Sequence, residues 1–176
     1  MNKGISIYKD LTSKLVLLQH GLGVFMMIML LLLVFVQVLL RAFNVPLMGI
    51  EELLILPTIW LYMLGSANAS EERSQISVDI LDVSMKNEKV LTVIHVIKNI
   101  VSLIIGVVLT YWMFNFFSYS LDLWKLSPLL SIPMFFVESA LFIGLLLMTI
   151  YTFSDLIISI RKAKTYFAHL NKKGGI

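Results

Sequence analysis

The sequence has no cysteine. That excludes disulfide exchange, thiolate catalysis, and zinc or iron–sulfur sites built on cysteine. It has little charge: Asp, Glu, Lys and Arg make up 14% of its 176 residues, against about a quarter in soluble domains. It has no phosphate loop, no HExxH pair, no Ser/His/Asp set and no Gly-rich nucleotide fingerprint. No motif therefore points to an enzyme. No internal repeat is present either, and broken helices meeting at mid-membrane, which secondary transporters use to build substrate sites, have no counterpart.

What the chain has instead is apolar length. It is 59% hydrophobic, with a mean hydropathy of +0.90. Leu15–Leu40, Leu53–Ser70 and Asn99–Leu121 contain no charged residue, and Leu126–Ser154 contains only Glu138. About 20 apolar residues carry a helix across the hydrocarbon core of a bilayer. Every residue of Met26–Val36 is apolar, so the alternation of a membrane β-barrel strand is absent. The expected fold class is an all-α membrane protein. Residues 1–176 form a single integral membrane domain with spans at about 15–40, 50–70, 90–119 and 133–160. The first run is longer than a signal-peptide core and lacks a clear cleavage site, so it is read as a retained anchor. Residues 1–14, with Leu11, Leu15 and Leu18 on one helical face, are expected to form a short separate interfacial helix.

Charge sets the expected orientation. Lys3, Lys9, Lys14, Arg73, Lys86, Lys89, Lys98, Arg161, Lys162, Lys164, Lys172 and Lys173 fall on one side of the four spans, and only Arg41 and Lys125 on the other. The positive-inside rule places both termini and the middle connection in the cytoplasm. Beside a membrane span, the basic tail is better explained by topology and lipid headgroups than by nucleic acid.

Local features fill in the pass. Arg41 closes the first span, where a cation suits a helix C-terminus, and Glu51 and Glu52 open the second, where carboxylates suit an N-terminus. Arg41 and one of these acids can close the outer turn. Pro57 is expected to kink the second span. Gly65 with Ala69, four apart, permits close helix approach. The segment between Glu71 and Lys89 is expected to hold a short surface helix, and Pro133 to sit in the first turn of the fourth span.

Few residues carry chemistry. Glu138 is a carboxylate inside a span, a functional candidate by default, but it lies near the interface. It reads as a helix-start carboxylate or a salt-bridge partner before it reads as a proton carrier. Gln37, Asn68 and Asn115 are expected to bond between helices. His20 and His95 lie near the same side and would ligate haem if their helices were neighbours. No catalytic residue, metal ligand or cofactor is expected.

The residues around the second span resemble a known family. Arg41, Pro46, Glu51-Glu52-Leu53-Leu54, Trp60, Leu64-Gly65-Ser66-Ala67 and Arg73-x-x-Ile76-x-Val78-Asp79-Ile80-Leu81 are similar to the small, four-helix (Q-type) permease subunit of tripartite ATP-independent periplasmic (TRAP) transporters. Ser131-Ile132-Pro133 followed by Gly144 fits the start of its fourth helix. Gln75 stands where the family often has His, and Met48-Gly49 where it often has Trp before the acid. The resemblance implies a bacterial inner-membrane protein beside a large permease subunit that holds the sodium and substrate sites. It also implies a periplasmic solute-binding protein that delivers an organic acid of the sialic acid or C4-dicarboxylate class. Arg41, Glu51, Glu52, Gly65, Ala69 and Glu138 are the structural or subunit-interface candidates. Two alternatives remain at this point: a small exporter working as an oligomer, and a bis-His haem protein.

Overall fold

The computed structural model describes residues 3–45, 48–72 and 88–173. Among them are four helices: α1 Lys3–Ala42, α2 Ile50–Glu71, α3 Glu88–Leu123 and α4 Phe135–Lys173. Each contains a segment long and apolar enough to cross a membrane: Lys14–Ala42, Ile50–Glu71, Val90–Leu123 and Phe135–Tyr166. Four long apolar helices, each a candidate membrane span, thus stand where four spans were expected.

One expectation is corrected. No separate interfacial helix precedes the first span: α1 is a single helix of 40 residues, about 60 Å long at 1.5 Å per residue. No proline lies between Lys3 and Ala42. Once the apolar run is helical, adding turns at its N-terminus needs no new nucleation. The short helix expected between Glu71 and Lys89 falls mostly on residues outside the described set, as does Pro46. Pro57 sits inside the continuous α2 and is fully buried.

The helices pack in the order α1, α2, α4, α3. Interhelical contacts give the directions. Asn99 donates to the Ser159 hydroxyl at 2.8 Å, the Thr110 and Thr149 hydroxyls meet at 3.0 Å, and Phe117 stacks on Phe142 at 5.8 Å. Residue numbers rise on α3 as they fall on α4, so these two are antiparallel. The Trp60 indole donates to the Phe136 carbonyl, and Met63 lies against Gly144. Here both numbers rise together, so α2 and α4 run the same way, as four alternating crossings require. Thr149 already donates to the Leu145 carbonyl. A hydroxyl has one proton, so Thr110 is the donor in its bond to Thr149.

Among the described residues the buried core is small: Leu64, Ala67, Val137, Ala140 and Tyr151, with Pro57, are its apolar members. They sit on the α2–α4 contact and where α4 meets α1. Large apolar side chains on α1 and α3, such as Leu17, Leu31, Ile104 and Trp112, are more than half exposed. In water that would be untenable. In a bilayer the hydrophobic effect does not drive helices together, so close packing and hydrogen bonds at small contacts decide the arrangement.

Candidate functional site

One end of the bundle, the outer one in the orientation expected from charge, is built around Glu52. At the end of α1, Asn44 takes a left-handed conformation with φ 58°. The Val45 amide donates to the Leu40 carbonyl and the Asn44 amide to that of Arg41, a Schellman stop. The chain re-enters helix at Gly49, whose φ is 95°. Glu52 then lies in the first turn of α2 and points at the loop joining α3 to α4. Its carboxylate accepts from the Ser127 hydroxyl, from the Leu129 amide at 3.1 Å and from the Leu130 amide at 3.0 Å. That loop is a tight hairpin in its own right: the Ser127 amide donates to Ile132 and the Met134 amide to Lys125, each at 2.9 Å. Pro133 pairs with Leu126 in an isolated bridge and stands before α4 rather than inside its first turn. Trp124 and Ser131 hold left-handed conformations in the same loop.

Gly49 completes the corner. A Cβ there would lie 2.9 Å from the Leu130 Cγ and 3.3 Å from the Leu129 Cβ. The position thus calls for glycine twice, for its positive φ and for the close approach of the hairpin. The two outer loops are locked together through residues about 75 positions apart in sequence.

The sequence candidates are distributed as follows. Glu52 fixes the outer corner through uncharged donors, and Arg41 is exposed with no ion-pair partner among the described residues. Glu51 is also exposed. Gly65 is exposed, and a Cβ there would meet nothing within 4 Å, so no helix approaches closely at Gly65 among the described residues. Ala140 and Gly144 make the close approach instead: at Gly144 a Cβ would fall 2.7 Å from that of Met63. Their four-residue spacing is the same signal, on a different helix.

Glu138 is in the first turn of α4 and only 6% exposed. Among the described residues its Oε2 has no hydrogen-bond partner, and neither has the buried hydroxyl of Ser120. None of Gln37, Asn68 and Asn115 forms the expected bond between helices among the described residues. Two other side-chain amides, for which no such bond was expected, do so: Asn99, and Gln19, which accepts a hydrogen bond from the buried Tyr151 hydroxyl and ties α1 to α4. A lone amide in an apolar run was the available signal for both. His20 and His95 stand on α1 and α3, at opposite ends of the packing order, so the packing does not pair them for haem. Among the described residues no group of three or more His, Cys, Asp and Glu is placed to hold a metal ion.

Comparison with known proteins adds one positive result. A family model described as "Tripartite ATP-independent periplasmic transporters, DctQ component" matches residues 30–162, well over half of the chain and all or part of every helix. No curated protein matches.

Proposed function

The chain belongs to the family of DctQ components of the tripartite ATP-independent periplasmic transporters, and from that premise we propose that it braces the large permease subunit of a sodium-driven uptake system. It is a small multi-pass membrane component of such a transporter, and the family is one of transporter components, not of enzymes. The cargo is an organic acid of the sialic acid or C4-dicarboxylate class, captured by a periplasmic solute-binding protein. Sodium and substrate bind in the large subunit. Both termini of this chain face the cytoplasm of a bacterium whose inner membrane holds the complex.

The observation that carries this reading is the family match across the four helices. Two features of the fold support it. The outer loops are tied to each other through Glu52 and Gly49, which makes that end of the bundle stiff. The apolar surfaces of α1 and α3 are free for lipid or for a larger membrane protein. Arg41, Glu51 and Gly65, all exposed, are candidates for the subunit contact, with Ala69 one turn from Gly65 on the same helix. Glu138, close to the outer loops, is a further candidate for the large subunit or the docked binding protein.

Uptake into proteoliposomes tests the reading. Vesicles holding the large subunit and this chain, given the binding protein loaded with labelled acid, take it up when sodium is high outside. Omitting this chain or collapsing the sodium gradient abolishes uptake. Undiminished uptake without this chain would remove its bracing role.

A further inference from the structure

α4 extends well past the thickness of a hydrocarbon core. From Phe135 to Arg161 it rises about 39 Å at 1.5 Å per residue, against about 40–45 Å for a bilayer with its headgroups. Arg161 and Lys162 therefore reach headgroup level on the side opposite the outer corner. Both are exposed, and neither has an ion-pair partner among the described residues. Adjacent cations on a helix normally diverge by about 100°, but these two line one open hollow together with Ile158, Thr165 and Tyr166.

The order of these residues along the helix matches the depth profile of a phospholipid. Ile158, more than a third exposed, lies one turn towards the membrane core, where an acyl chain begins. Arg161 and Lys162 lie at the level of the phosphate. Tyr166 lies one turn further out, an aromatic with a polar tip of the kind found at membrane interfaces. The Thr165 hydroxyl donates to the Arg161 carbonyl at 3.0 Å, so it shapes the wall and its proton is not offered to a ligand. The donors left for an anion are the guanidinium fork and the ammonium, a pairing suited to a phosphodiester.

We propose that Ile158, Arg161, Lys162 and Tyr166 form a site for one anionic phospholipid, with its phosphate between the two cations and its acyl chain along Ile158. The site does not depend on the substrate or on which leaflet α4 enters.

Native mass spectrometry of the detergent-purified full chain, titrated with phosphatidylglycerol or phosphatidylcholine, tests it. Phosphatidylglycerol binds and phosphatidylcholine does so far more weakly. In Arg161→Gln/Lys162→Gln, phosphatidylglycerol affinity falls roughly 10- to 30-fold, since each basic residue near the surface is worth about fivefold. Lys172→Gln/Lys173→Gln removes the same charge further along the tail and leaves that affinity within about twofold. Both cations of the site are exposed and carry no ion pair among the described residues, so the variant keeps the helical circular dichroism of the parent. Equal losses in the two double variants would mean diffuse attraction and overturn the site. So would displacement of the lipid by millimolar inorganic phosphate, which would make the hollow a free-phosphate site.

Discussion

Gly49→Val will lower the stability of the purified chain by about 2–6 kcal/mol, the sum of about 1–3 kcal/mol for a side chain held at positive φ and about 1–3 kcal/mol for overpacking. The reasoning is local. Gly49 has φ 95°, and a Cβ added there would lie 2.9 Å from Leu130 Cγ and 3.3 Å from Leu129 Cβ. A β-branched residue suffers most from both constraints. Moving the Leu130 side chain relieves the overpacking only in part and leaves the strained φ; pushing the α3–α4 hairpin off α2 breaks the bonds from Ser127, Leu129 and Leu130 to Glu52. Glu52→Ala undoes the same contact from the other side and is expected to lower the melting temperature clearly, while Glu51→Ala, at an exposed neighbour, leaves it nearly unchanged. Thermal unfolding in mild detergent compares the three. If Gly49→Val melts like the parent, the two outer loops are not locked together.

Gly144→Leu is the second large effect. The Cβ it introduces falls 2.7 Å from the Met63 Cβ, a contact fixed close to the α2 backbone and not at the free end of a side chain. The helices must part, at a cost of about 1–3 kcal/mol or more, and the Trp60–Phe136 bond beside them is lost with the register. Gly65→Leu is the matched control. Its Cβ meets nothing within 4 Å and the position is exposed, so the stability of the isolated chain stays within about 0.5 kcal/mol of the parent value. If the Gly65–Ala69 strip faces the large subunit, that same variant lowers the yield of the complex. Equal destabilisation of the isolated chain by both would contradict the α2–α4 packing.

These residues also show what a sequence of this kind reveals. The four spans were legible because runs such as Met26–Val36 have no reading other than a membrane helix, and charge at Arg41, Glu51 and Glu52 marked the turn between the first two. The break expected after residue 14 was not real, because nothing in Lys3–Lys14 stops a helix that an apolar run has already nucleated. Glu52 was recognised as structural, but its partner was sought nearby in Arg41. The actual donors are a hydroxyl and two backbone amides about 75 residues away, and backbone amides leave no mark in a sequence. Close helix approach was sought at Gly65–Ala69 and occurs at Ala140–Gly144. Four-residue spacing shows that a helix can be approached closely, but not which neighbour approaches it. The non-sequential order α1, α2, α4, α3 was not legible, since with few polar residues the helices give little sign of which faces pair.

The most direct test of the account is purification of the tagged chain from its native membrane in mild detergent, with the co-purifying proteins identified and quantified by mass spectrometry. The account predicts a large multi-span membrane protein in near-equal amount, joined by a periplasmic solute-binding protein when substrate is present. Recovery of the chain alone, as a homo-oligomer, would contradict its role as a subunit.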